Sequence, residues 1–187
     1  MESGPLPQPS TDPRDLTAQE SSPSTIFSVF TSSTAWTLGL ALRNKILSLP
    51  STHRKPALIS ISLGSGNPTP HIVFQCATEP GTAADNDIWV ARKRNTVLRW
   101  GVSTWLMRQK MITSSGIAGG LELEGAFREK FALGSLAGEY AIHGGGFPVR
   151  VKGVDGVVGV IVVSGLRQED DHQVIVEVVK EFVGMEA

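Results

Sequence analysis

The seven residues Val157–Val163 constrain this chain most. Every position is apolar, and Gly159 is the only gap. A strand that is apolar on both of its alternating faces has to be covered on both, so helices must lie on either side of the sheet that contains it. Its flanks agree. Gly153-Val154-Asp155-Gly156 ahead of it reads as a tight hairpin turn. After Ser164-Gly165, the segment Gln168–Val183 reads as a helix with Val174, Ile175, Val178, Val179 and Phe182 turned inward. Its first turn carries Glu169, Asp170 and Asp171, which suit the positive end of a helix dipole.

The rest of the chain supplies the remaining layers. Ala57–Leu63 sets Leu58, Ser60 and Ser62 against Ile59, Ile61 and Leu63, and His71–Ala77 is a second strand. With a turn at Gly64–Pro68, the span 57–77 reads as a hairpin, with His71 at a strand edge facing solvent or the turn. Helical spacing predicts a helix over 24–48, closed by Pro50. A long helix over 86–112 has Ile88, Ala91, Leu98, Val102, Trp105 and Leu106 as its core stripe and Lys93 and Arg94 on a solvated face. Trp100, Met107 and Met111 form a second apolar strip, with Trp100 a candidate interface anchor. A shorter helix is expected over 123–133. Residues 1–24 are rich in Pro and Ser with few large apolar groups, and are expected to form a disordered leader before a single domain over 25–187.

Composition narrows the function classes. The net charge of −1 gives no general attraction to nucleic acid. No apolar run reaches membrane-spanning length, and the N-terminus has neither a basic start nor an apolar core of a signal peptide. The single cysteine, Cys76, cannot form an internal disulfide and reads as a small core residue. Together these lead us to expect a cytoplasmic protein.

Two constellations could carry binding. In His143-Gly144-Gly145-Gly146 the glycines can aim several N–H groups into one concavity suited to carboxylate or phosphate, and His143 could offer a ring nitrogen to an anion, a metal or haem iron. The same glycines could instead permit a bulge and a close helix–strand crossing, with His143 bonded to backbone. Arg92, Asn95 and Arg99 could clamp a planar anion, or pair with Glu122, Glu124 or Glu129 at a subunit seam. No Gly-x-Ser-x-Gly elbow accompanies the glycines, so the hydrolase chemistry associated with such a loop has no nucleophile. No two histidines sit at zinc-ligand spacing.

Tyr140–Val149 (YAIHGGGFPV), Gly156–Gly165 (GVVGVIVVSG) and Glu169-Asp170-Asp171-His172 resemble the HbpS/GlcG-like superfamily of haem-binding or haem-degrading proteins. Val90–Arg99 (VARKRNTVLR) is similar to a branch of small cytosolic proteins that includes fungal members. The resemblance covers roughly residues 25–185. It implies a profilin-like three-layer α/β/α fold with a central, mainly antiparallel sheet, a closed homo-oligomer, and a haem or small-ligand site. Three functions follow as expectations. One is a homo-oligomeric module binding haem or a small anion near His143. The second is a homo-oligomeric protein-interaction adaptor, for example in chaperone or protein-targeting handover, without a small ligand. The third, oxidative haem degradation, has no catalytic constellation here to carry it.

Overall fold

The computed structural model describes residues 4–64 and 69–186, so the turn expected at Gly64–Pro68 falls, from residue 65 onward, outside them, as do residues 1–3 of the leader. Helix α1 (Pro13–Glu20) leads into a 3-10 turn and the two-residue strand β1 (Ile26–Phe27). Then follow α2 (Ser32–Ser48), β2 (Leu58–Leu63), β3 (His71–Ala77), α3 (Ala84–Trp100), α4 (Thr104–Ser115), α5 (Gly120–Lys130), a second 3-10 turn, β4 (Gly146–Val151), β5 (Gly159–Ser164) and α6 (Gln168–Glu186).

One five-stranded sheet runs in the order β1-β4-β5-β2-β3, with β1 parallel to β4 and the other pairs antiparallel. The valine segment is its centre. Val160, Ile161, Val162 and Val163 are all fully buried, each such side chain contributing about 1.5–3 kcal/mol of transfer free energy. Alternation divides them. Ile161 and Val163 join Ile59, Ile61, Phe147 and Val149 in the main core, under Leu38, Leu42 and Ile46 of α2 and Val174, Ile175, Val178 and Val179 of α6. Val160 and Val162 meet Leu58, Val90 and Val97 on the opposite face, under α3. The three-layer architecture expected from the sequence is therefore present.

Two expected helices end or begin elsewhere. The predicted rod over 86–112 breaks at Gly101, whose φ of 67° gives α3 a left-handed cap. Ser103 then caps α4 by accepting from the Leu106 N–H at 3.0 Å. Trp100 consequently packs inside the chain, against Phe127, Phe131 and Tyr140. Met107 and Met111 build a separate small core with Leu123, Phe127, Leu133 and Ile142. The face of α3 is also rotated from expectation: Lys93 and Arg94 are buried, while Ile88 and Leu98 point outward. At the other boundary, α2 starts at Ser32 because Thr31 and Thr34 cap it reciprocally, each side-chain oxygen accepting the other's N–H at 3.2 Å.

The segment expected to be a mobile leader holds α1, which packs on α4. Asp12 caps it with Pro13 at its first position. Leu16 is buried against Trp105 and Leu106. Trp105 Nε1 donates to the Ser10 carbonyl at 2.9 Å, and the buried Glu20 carboxylate accepts the Ser103 N–H at 3.0 Å. Four anchoring contacts outweigh a composition that is polar on average.

Candidate functional site: a cleft between two helix N-termini

The strand β5 ends where α3 and α6 begin, and their first turns leave a cleft of about 270 Å³ beside His143. Asp85, Asn86 and Trp89 of α3 form one wall, and Ser164, Gly165, Leu166 and Gln168 form the other. Lys93 and Asp171 also line it. Asn86 ties the walls together, since its Nδ2 donates to the Ser164 carbonyl at 3.2 Å and its Oδ1 accepts the Ala83 N–H at 2.8 Å.

Lys93 and Asp171 form a buried ion pair. Lys93 Nζ lies 3.0 Å from Asp171 Oδ2 and 2.9 Å from the Val163 carbonyl. Asp171 Oδ1 accepts the Leu166 N–H at 3.0 Å. Burial pushes the Asp171 carboxyl above its ordinary range, while Lys93 and the N–H groups of Leu166 and Gly165 pull the other way.

His143 stands at the mouth, edge-on to Trp89 with 4.9 Å between ring centres. Its Nε2 faces Glu124 Oε1 of α5 at 3.8 Å, beyond hydrogen-bond range, and its Nδ1 is buried without a partner. Desolvation holds its pKa below the usual histidine value. Glu124 opposes this, and Arg108, Lys93 and Arg92 reinforce it, so the ring is neutral at pH 7. Gln168 Oε1 is a second buried polar atom in the cleft without a partner. Trp89 is fixed from below by Nε1 donating to Asp85 Oδ2 at 2.8 Å and from above by the Arg92 guanidinium 4.5 Å from its ring.

The three glycines serve close packing. A Cβ on Gly144 would overlap the Gln168 carbonyl. On Gly145, whose φ is +112°, it would overlap the Val163 carbonyl and stand 2.7 Å from Lys93 Nζ. Gly146 donates its N–H to Thr104 Oγ1 at 2.9 Å, which removes that group from any nest. The arginine constellation is likewise engaged locally. Arg92 Nε donates to the Tyr140 carbonyl at 3.1 Å and Asn95 Nδ2 to the Glu139 carbonyl at 3.0 Å. Arg99 stacks between Trp100 and Tyr140. These side chains pin residues 139–140 and do not converge on a common point. Of the three, Arg92 lines a neighbouring cleft of about 320 Å³, shared with Glu124, Arg128 and Tyr140.

A haem iron has no open approach to His143 Nε2, which faces the Glu124 carboxylate at 3.8 Å. The adjoining cleft is also smaller than the roughly 300–1,000 Å³ of drug-sized ligand sites. Among the described residues no group of three or more His, Cys, Asp or Glu side chains could hold a metal ion. No helix among them is long and apolar enough to cross a membrane.

Sequence reasoning reached His143 and missed Trp89, Lys93, Gln168 and Asp171 as its companions. A signal for Lys93 exists: Val90, Lys93 and Val97 fall on one helical face, and two of the three are core residues.

Comparison with known proteins bears on the family and the fold. The HbpS-like family, described as "haem degrading protein HbpS-like", matches residues 30–180. A UPF0303 protein of Streptomyces coelicolor is 37% identical over 159 residues, covering 85% of this chain and 87% of the relative. The UPF0303 protein YBR137W of Saccharomyces cerevisiae is 35% identical over 145 residues, covering 78% and 70%. The crystal structure of Ybr137w superposes with a TM-score of 0.76 at 31% identity, over 94% of this chain and 89% of that one. The crystal structure of HbpS shares the fold, with a TM-score of 0.54 at 18% identity over 81% and 88%. The extent of the family match and the relatives' identity over most of their length lead to one conclusion: this chain belongs to the HbpS-like family, among its UPF0303 members.

Proposed function

We propose that this protein is a self-associating binding protein that takes a small anionic ligand in the cleft beside His143. The carrying observation is the set of unused valences in that cleft. Lys93 has three N–H donors and spends two, on Asp171 and Val163. His143 Nδ1 and Gln168 Oε1 are buried and unpartnered there. The two carboxylates in the walls are already engaged, Asp85 by Trp89 and Asp171 by Lys93 and Leu166. The helix N-termini add positive potential. What is left favours an anion that also carries a hydroxyl for Gln168, a small hydroxycarboxylate being the simplest case.

The test is calorimetric titration of the full chain with lactate, acetate and inorganic phosphate, beside His143→Ala. Lactate binding stronger than acetate and lost in the variant supports the reading. Equal heats for wild type and variant contradict it. Haemin titration of the same samples is expected to give no Soret shift that depends on His143.

The adaptor reading rests on a different surface. Trp36 and Leu40, one turn apart on α2, are 58% and 41% exposed. Such a patch suits a protein partner. Trp36→Ala would abolish partner capture while leaving ligand titration at the cleft unchanged.

A further inference from the structure

Three side chains of α3 hold residues 139–141 in place. Arg92 Nε donates to the Tyr140 carbonyl and Asn95 Nδ2 to the Glu139 carbonyl. Thr96 Oγ1 donates to the Ala141 carbonyl at 2.8 Å and accepts the Ala141 N–H at 3.0 Å. The segment so fixed is one wall of the cleft of about 320 Å³, and α5 is the other. Helix α5 turns Leu121, Glu124, Gly125 and Arg128 toward it, a set at steps of three, one and three residues that forms one helical face. Its other side sends Leu123 and Phe127 into the small core shared with Met107 and Met111.

Nothing inside the chain accounts for two glycines of this cleft. Neither Gly125 nor Gly138 has the positive φ that favours glycine, and a Cβ on either would meet no atom within 4 Å. In the middle of α5, Gly125 costs about 1 kcal/mol of helix propensity relative to alanine. A bare backbone wall there serves close approach by something from outside the chain. Leu121, on the same face, is 86% exposed and offers apolar surface beside it. The charges of the cleft are unequal, two guanidinium groups against the Glu124 carboxylate, which faces His143. The Arg92 guanidinium is oriented in advance by the Tyr140 carbonyl and by the Trp89 ring 4.5 Å away. Among the described residues its two terminal NH2 groups have no hydrogen-bond partner. Arg128 has no ion pair among the described residues.

We propose that this cleft is a second ligand site, separate from the one beside His143, and that it takes a monocarboxylate with a compact apolar body such as an aromatic ring. The carboxylate meets Arg92 and Arg128, whose planar forks match its two oxygens. One negative charge neutralises the single excess positive charge. The apolar body lies on the bare backbone of Gly125 and Gly138, against Leu121 and Ala137. The volume falls within the roughly 300–1,000 Å³ of drug-sized ligand sites. Asn95 and Thr96 serve the site as positioning residues, since they fix the wall without lining it.

The experiment is calorimetric titration of the full chain with benzoate, acetate and benzyl alcohol, beside Gly125→Leu, Arg128→Glu and His143→Ala. Acetate keeps the charge without the ring, and benzyl alcohol keeps the ring without the charge. Benzoate is expected to bind more tightly than either, and Gly125→Leu and Arg128→Glu each to weaken it by about tenfold or more. Both positions are solvent-facing, and thermal melts check that the variants fold. No benzoate heat in wild type, or heats unchanged in either cleft variant, would overturn the site. Benzoate binding lost only in His143→Ala would overturn it too, by placing the ligand in the other cleft.

Discussion

Lys93 and Asp171 meet 3.0 Å apart, both almost fully buried, against the backbone of Gly145. The contact joins α3, the strand β5 and the start of α6, so it sets the distance between the two helix N-termini that frame the cleft. Removing one partner strands the other charge. Lys93→Met or Asp171→Leu is expected to cost about 3–5 kcal/mol, and the two together distinctly less than the sum. Urea denaturation of the three variants measures this. Additive losses would mean the charges do not sense each other.

Gly145 cannot be replaced. With φ at +112° and the Val163 carbonyl in the place a Cβ would occupy, Gly145→Ala should cost roughly 2–4 kcal/mol. Gly125, inside α5 with nothing near its missing Cβ, is the control. Gly125→Ala should be neutral or stabilising by up to about 1 kcal/mol. Thermal melts of both variants are sufficient. Equal shifts would refute the packing explanation of the glycine run.

His172 makes the fold acid-sensitive. Its ring is fully buried beside Trp105 and Phe147 with neither nitrogen partnered, and burial lowers its pKa from 6.5 to about 3. Between those values the unfolded chain binds a proton that the native chain does not, so stability falls as pH is lowered, by on the order of 4–5 kcal/mol across the window. Glu20 and Asp171 act in the opposite sense. Burial raises both carboxyls, so the native state takes up their protons first. Urea midpoints should therefore fall more steeply, or rise less, in wild type than in His172→Leu as pH drops below 6.5. Parallel curves would remove His172 as the cause.

The N-terminal helix carries stability. Leu16 fills a site between Trp105 and Leu106, and Leu16→Ala should cost about 2–4 kcal/mol. Hydrogen exchange should show protected amides within Pro13–Glu20. Exchange there at free-peptide rates would return the segment to a tail.

The parts of the fold legible in the sequence are those where one residue pattern dictates one environment. Val160–Val163 could only be central, and Val174, Ile175, Val178 and Val179 could only face it. Features decided by single polar contacts were not legible. Glu20 and Trp105 hold α1 in place through two hydrogen bonds, which average composition conceals. Gly101 divides a helix whose apolar spacing runs straight through it. At the site, His143 stood out through its glycines. Lys93 was hidden because a lysine between two arginines looks solvated until a buried Asp171, 78 positions later in the chain, supplies its counter-ion.

The most direct measurement is an amide chemical-shift titration of the full chain with lactate, repeated on His143→Ala. Shifts are expected only at Gly145, Gly165, Leu166, Gln168 and the first turn of α3, saturating in wild type and absent in the variant. Shifts elsewhere, or identical ones in both proteins, would contradict a ligand site beside His143.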